Sequence, residues 1–164
     1  MDILKQQTNK INILEFFIFN RNGVCLLHLD FQDDQLLFSN KALTVGSDKN
    51  NDNRYKLIFG LLFSMKSFVK NLSPNKNFDF FKSFYTANYK LHYVEFLNGL
   101  RFICLTSPTK MDFSNYLREV YSAFYVNFIS KNILVNKDEI IKNELFLELT
   151  YNYLNNLNTT LNDK

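Results

Sequence analysis

Apolar runs near the start of the chain predict two paired strands. Residues 13–19 (ILEFFIF) are apolar on both faces, which is typical of a strand in the middle of a sheet. Asn22-Gly23 follows, the strongest short signal for a hairpin with a type I′ turn. Residues 24–31 then alternate, with His28 and Asp30 on the polar side, so we expect an edge strand with one wet face. Its apolar side comprises Cys25, Leu27, Leu29 and Phe31.

After the hairpin, the sequence predicts one helix and then three more strands. A period of 3.6 residues predicts a helix over 54–72, ended by Ser73-Pro74. Alternating runs at 81–88 and 89–97 predict strands, and a second Asn-Gly turn leads into an apolar strand at 100–106. The core stripe of the first helix is predicted to be Leu57, Ile58, Leu61, Leu62, Met65, Phe68, Val69 and Leu72.

Two final helices are predicted over 113–131 and 137–157, the last with Ile141, Leu145, Leu149 and Tyr153 as one i+4 row. The predicted order is therefore ββαβββαα. Hairpins imply an antiparallel sheet, and a single helix followed by a pair suggests packing on both faces, which makes the fold class α+β. We expect a single domain over 12–157, a polar insertion loop at 32–53 and a flexible tail at 158–164.

Composition excludes several classes of protein. The 164 residues include four widely separated glycines, too few and too scattered for a P-loop or a dinucleotide-binding fingerprint. A net charge of +3 is too small to argue for nucleic acid, and we expect no nucleic-acid partner. The first apolar run is interrupted by Glu15, and no uncharged run reaches the roughly 18 residues of a membrane span. We therefore expect no signal peptide, and any membrane association to be peripheral.

Residues with reactive side chains are few and scattered. Cys25 and Cys104 are expected to be buried, reduced thiols of a cytosolic protein. Cys25 should point away from His28 and Asp30 on its strand, so these three side chains cannot converge on a metal. Glu15 is interpreted as a carboxylate at a strand end or a partner surface. We expect no catalytic residue, no metal site and no cofactor.

The first predicted helix carries a second apolar face behind its core stripe. Phe59 and Phe63 are one turn apart, and Gly60 between them costs about 1 kcal/mol relative to alanine within a helix. Two aromatic side chains beside bare backbone, surrounded by lysines, are typical of a surface that contacts another protein. The alternative is that both rings lie at the margin of the core. The predicted partner-binding residues are Lys56, Phe59, Gly60, Phe63, Lys66 and Lys70.

Four ordered blocks of sequence resemble one known family. They are Asn20–Leu26 (NRNGVCL), Tyr55–Pro74 (YKLIFGLLFSMKSFVKNLSP), Tyr89–Tyr93 (YKLHY) and Val120–Leu134 (VYSAFYVNFISKNIL). Together they resemble the family of subunit 1 of the transport protein particle, the TRAPP vesicle-tethering complex, over nearly the whole chain. The chain departs from that family in the 32–53 insertion, the Asn-rich patches and the C-terminal tail.

The resemblance implies a longin-like (sedlin-type) fold, with five antiparallel strands, one helix on one face and two on the other. It also implies a non-catalytic subunit of an assembly that acts in endoplasmic-reticulum-to-Golgi transport. Such an assembly exchanges nucleotide on a Rab-type GTPase, and this chain would contribute surface beside other TRAPP subunits. The implied location is cytoplasmic, peripheral at endoplasmic reticulum and cis-Golgi membranes.

Two alternatives remain open at this point. One is a small longin-type subunit of a clathrin-adaptor coat, which its co-purifying partners would distinguish. The other is a small cytosolic α+β enzyme, which would need a deep pocket with converging polar groups. A longin-type SNARE is disfavoured, because no heptad segment or membrane anchor follows the domain.

Overall fold

The computed structural model describes residues 11–32, 49–74 and 81–160. Its strands and helices follow one another in the predicted ββαβββαα order. The strands are β1 (Ile13–Phe19), β2 (Cys25–Asp30), β3 (Ser83–Tyr85), β4 (Lys90–Glu95) and β5 (Arg101–Thr106). The helices are α1 (Lys49–Leu72), α2 (Ser114–Glu119), a π-helix that continues it (Val120–Ser130), and α3 (Glu144–Thr160).

The five strands form one antiparallel sheet in the order β2-β1-β5-β4-β3. The apolar strands β1 and β5 lie in the middle, as their sequence predicts. Phe16 and Ile18 of β1 face one side and Phe17 and Phe19 face the other, all fully buried. Each such side chain contributes about 1.5–3 kcal/mol by leaving water, which explains why β1 occupies the centre.

Two apolar layers sandwich the sheet. One layer lies under α1 and includes Phe17, Tyr55, Leu62 and Ile103. The other lies under α2, the π-helix and α3, and is centred on buried side chains such as Phe102. The predicted α+β class is confirmed, as is the longin-like arrangement with helices on both faces.

The two Asn-Gly turns form hairpins, but not of the predicted type. A type I′ turn needs positive φ at both central residues, and here only the glycines have it, with φ of +85° at Gly23 and +83° at Gly99. The amide of Gly23 donates a hydrogen bond to the carbonyl of Asn20, and the amide of Gly99 donates one to the carbonyl of Phe96. This is the three-residue hairpin in which a left-handed glycine forms a bulge.

The β2 strand is an edge strand, as predicted, but its polar face is not wet. His28 lies beneath α1, and its ring stacks on that of Phe17 at 4.3 Å. Cys25 belongs to the layer under α1 and not to the side of Leu27 and Leu29, because the β1–β2 register shifts at Ile18/Phe19. The predicted grouping of Cys25 with those leucines is therefore wrong.

Helix limits differ from the predictions at three places. Helix α1 begins at Lys49, so the end of the predicted 32–53 loop is helical; residues 33–48 lie outside the described part. Helix α3 begins at Glu144 and not near 137, since the side-chain oxygen of Asn143 caps it by accepting the amide of Phe146. It continues to Thr160, so 158–160 are not a tail, and 161–164 lie outside the described residues.

Candidate functional site

Helix α1 is the only element facing its side of the sheet among the described residues, and it covers that side with a narrow strip of its surface. Tyr55 and Leu62 are buried, while Ile58, Met65 and Val69 are half-buried beside them. At 3.6 residues per turn these five side chains lie within roughly 80° of the helix circumference. Much of α1 is therefore left without cover from the rest of the described chain.

A buried polar network fixes the first turns of α1 to the sheet. Glu15 of β1, 5% exposed, accepts hydrogen bonds from the guanidinium of Arg54 and from His28 Nε2 at 2.8 Å. The other ring nitrogen of His28 lies 3.1 Å from the hydroxyl of Tyr55. The interpretation of Glu15 as a strand-end or surface carboxylate is thus wrong, because β2 and α1 enclose it.

Ionisation of this network follows from its contacts. Burial by itself would raise the pKa of Glu15, but the hydrogen bonds from His28 and Arg54 outweigh it and hold the pKa below 4.5. Burial raises the pKa of Tyr55 to about 12. The network therefore contains a carboxylate that is ion-paired with Arg54 and hydrogen-bonded to His28, and it acts as an anchor for α1.

The predicted core stripe of α1 is only half buried. Leu62 is in the core, but four other members are exposed, with Leu57 at 73% and Phe68 at 59%. The exposed members lie within roughly 60° of one another around the helix. They are Leu57, Leu61, Phe68 and Leu72, which we name the outer stripe. Their assignment to the core is wrong because the sheet reaches one side of α1 only.

The predicted partner face divides into a covered and an exposed part. Phe59 is half-buried, 6.0 Å from the Phe19 ring and against the turn at Gly23. Phe63 is 71% exposed, and a Cβ on Gly60 would meet nothing within 4 Å. Phe59 thus lies at the margin of the core, as the alternative interpretation of this face predicted for both rings. Phe63 and Gly60 face outward.

The three lysines of this face differ in their contacts with the rest of the chain. Lys56 pairs with Asp52 across one helical turn at 2.5 Å, and both side chains are exposed. Lys66 reaches the sheet and donates to Glu95 at 2.6 Å. Lys70 is exposed near the end of α1. Around the helix, Phe63 lies roughly 150° from the outer stripe, so α1 presents two separate exposed surfaces.

A shallow cleft lies between this face and the ends of β4 and β5, lined by Phe59, Leu62, Phe63, Lys66, Tyr93 and Arg101. We name it the α1–β5 cleft. The Arg101 guanidinium stacks over the Phe59 ring at 4.9 Å. Glu95 accepts hydrogen bonds from Lys66 and from the Tyr93 hydroxyl at 2.9 Å, and it forms an ion pair with Arg101 at 3.2 Å.

Sequence reasoning missed Tyr93, Glu95 and Arg101 as members of this site. A signal existed, since the second Asn-Gly turn joins β4 to β5 and places Glu95 directly opposite Arg101. What the sequence could not supply is the position of α1, which brings Lys66 to Glu95 across 29 positions of chain.

Burial shifts the pKa values of both cysteines and of one histidine away from neutral pH. Burial raises the pKa of Cys25 to about 12 and also raises that of Cys104. His92 is fully buried on the opposite side of the sheet from α1, where its Nε2 contacts Thr106, and burial lowers its pKa to about 4. Within the described residues, no three His, Cys, Asp or Glu side chains could together hold a metal. Nor does any helix there have the length and apolarity for a membrane crossing.

Comparisons with known proteins identify the family. The chain is 33% identical over 147 residues to "Trafficking protein particle complex subunit 1" of Rattus norvegicus, covering 90% of this chain and 94% of the relative. It is 30% identical over 144 residues to the protein of that name in Dictyostelium discoideum, at 87% and 94% coverage. It is 30% identical over 124 residues to "Trafficking protein particle complex subunit BET5" of Saccharomyces cerevisiae, with 76% of each chain covered. The resemblance seen in the four sequence blocks is confirmed. A model of the Sybindin-like family matches residues 13–157, and the chain belongs to that family.

Proposed function

We propose that this chain is a non-catalytic subunit of a trafficking protein particle complex. The names of its relatives support this, since they are subunits of such complexes. Within the complex, the chain supplies surface to an assembly that exchanges nucleotide on a Rab-type GTPase in endoplasmic-reticulum-to-Golgi transport. The assembly works in the cytoplasm, peripherally at endoplasmic reticulum and cis-Golgi membranes. The chain itself carries no reacting group in this proposal.

The exposed apolar surface of α1 is the observation that carries the proposal. Five of the large exposed apolar side chains of the described residues lie on this one helix, namely Leu57, Leu61, Phe63, Phe68 and Leu72. A protein that acts alone rarely leaves so much apolar surface together on one element, and such patches mark sites of protein association. A catalytic domain would instead place converging polar groups in a deep pocket.

The two exposed surfaces of α1 suit two different contacts. The outer stripe runs from Leu57 to Leu72, about 22 Å along the helix axis, and matches the length and spacing of a contact with a helix of a neighbouring subunit. The face formed by Lys56, Phe59, Gly60, Phe63, Lys66 and Lys70 is proposed to contact either that subunit or the GTPase. Nucleotide exchange needs no reacting group from this chain, because the complex only has to bind the nucleotide-free GTPase better than the loaded one.

Co-purification tests membership and site together. A tagged full-length chain isolated from its native cell should bring down the other subunits of a trafficking particle complex. Phe63→Glu should weaken that assembly, or its exchange activity on a Rab-type GTPase, by a free energy of about 2 kcal/mol or more. Asn155→Glu is the matched control, since it adds the same charge at an exposed position of α3, on the other side of the sheet from α1.

Three results would contradict parts of the proposal. Co-purification with the large chains of a clathrin-adaptor coat would favour the alternative assembly. Loss of folding by Phe63→Glu, seen as a lowered melting temperature of the chain alone, would show that Phe63 belongs to the core. An unchanged assembly and exchange rate in that variant would remove this face from the site.

A further inference from the structure

The α1–β5 cleft has the charge of a site for an acidic partner. We propose that it receives a segment of a neighbouring protein of the complex in which a carboxylate side chain lies next to an apolar one. This inference rests on the proposed function, since it names the chemistry of a contact on the same face. It adds the end of the β4–β5 hairpin to a surface that the sequence placed on α1 alone.

Charge balance around the cleft favours an anionic occupant. Lys66 and Arg101 both pair with the single carboxylate of Glu95 inside the cleft. Along the same flank of α1, Lys56 has Asp52 as its partner, and Lys70 adds a further exposed cation. These four cations face two carboxylates, so the flank has a net positive charge. A second carboxylate entering the cleft would be attracted by it and would meet N–H donors, since a lysine ammonium has three.

The aromatic walls favour a protein segment over a free anion or a lipid headgroup. Phe63 is 71% exposed at the mouth of the cleft, and Phe59 and Tyr93 line it. Rings in this arrangement shield a buried contact from water and bind an apolar side chain, as interface anchors do. A free phosphate can use only the cations, whereas a carboxylate next to an apolar side chain can use both the cations and the rings.

Zero-length cross-linking of the purified complex tests the chemistry directly. A carbodiimide joins an ammonium and a carboxylate that are in contact as an amide, with loss of one water, and mass spectrometry identifies the two peptides. We expect Lys66 or Lys70 to be joined to an Asp or Glu of another protein. Lys66→Arg should keep the complex intact while removing the link at that position, because arginine keeps the charge but is not coupled.

Salt dependence gives an independent measurement. Lys66→Glu should lower the association rate of the chain with its neighbour about tenfold at low ionic strength, and less at high salt. Lys142→Glu is the matched control, because it makes the same charge change at an exposed position next to α3, on the other side of the sheet.

Two outcomes overturn the inference while leaving the proposed function intact. In the first, Phe63→Glu releases the neighbour, but Lys66 links only to Glu95 of its own chain, Lys70 links to no other protein, and salt has no effect on association. In the second, the full chain floats with vesicles containing phosphatidylserine and Lys66→Glu abolishes flotation, so that the occupant is a lipid surface. Failure of the proposed function looks different, since no subunit of such a complex would then co-purify.

Discussion

Glu15 illustrates how one residue can connect three elements. It lies on β1, its two hydrogen-bond partners lie on β2 and α1, and it is nearly inaccessible to water. Burying a carboxylate costs free energy unless it is paired and hydrogen-bonded. Because Arg54 of α1 is one of its partners, Glu15 fixes the position of the start of α1 on the sheet. The sequence showed only a charge within an apolar strand, because its partners are 13 and 39 positions away.

Replacing Glu15 by glutamine should destabilise the chain by about 1–3 kcal/mol at neutral pH. Glutamine keeps the shape of the side chain but leaves His28 and Arg54 without an anion. Asp52→Asn is the matched control, because it breaks an exposed ion pair and should change stability by no more than about 0.5 kcal/mol. Urea unfolding of the three proteins measures the difference, and equal unfolding free energies of the two variants would show that the network does not anchor α1.

The same substitution should change the response of the chain to acid. Since the pKa of Glu15 is below 4.5 in the folded state, the unfolded chain binds a proton first as the pH falls. The stability that the carboxylate contributes is complete above about pH 4.5 and is lost progressively below it. Glu15→Gln should therefore remove part of the stability loss between pH 4.5 and 3.

At the scale of elements, the strands follow from the sequence better than the helices. The limits of β1 coincide with those predicted, because a run that is apolar on both faces has one stable place, in the middle of a sheet. The period of α1 was also correct, but it could not show which of its apolar positions the sheet reaches, and Leu57 and Phe68 were assigned wrongly for that reason. The π-helix at Val120–Ser130 had no signal, since its apolar positions also fit an α-helix.

Substitution by alanine should have opposite effects on stability at two glycines, Gly60 in α1 and Gly23 in the β1–β2 turn. Gly60→Ala should stabilise the isolated chain by up to about 1 kcal/mol, because the position is helical and a Cβ there meets nothing. Gly23→Ala should destabilise it by about 1–2 kcal/mol or more, since φ is +85° and the new Cβ would lie 2.8 Å from the Phe59 ring. Thermal unfolding measures both changes.

The effect of Gly60→Ala can also be measured on assembly of the complex. If a neighbour approaches the bare backbone closely, Gly60→Ala should weaken assembly while it stabilises the chain alone. Stronger or unchanged assembly would show that the glycine is not needed for contact, and the partner face would then consist of Phe63 and the lysines.

At the scale of the molecule, the two sides of the sheet are covered unequally. Among the described residues, three helical elements lie on one side and α1 lies on the other. The three helical elements expose one large apolar side chain, Leu145, whereas α1 exposes five. Stability of the domain and exposure of a contact surface are thus separated onto opposite sides, which permits the outer surface of α1 to change without unfolding the core.

The isolated chain should therefore self-associate through α1. With 18 Phe and 9 Tyr in 164 residues, and the outer stripe and Phe63 exposed, an unpartnered chain can bury apolar surface only against another copy. Light scattering after size exclusion should show the apparent mass rising with protein concentration. The double variant Leu57→Glu with Phe68→Glu should shift the population towards monomer without lowering the melting temperature, because both side chains are mostly exposed. Asn155→Glu, at an exposed position of α3 on the other side of the sheet, should change the distribution much less. A wild-type chain that stays monomeric at high concentration and binds no apolar dye would contradict this prediction, because the exposed stripe would then be too weak to drive association.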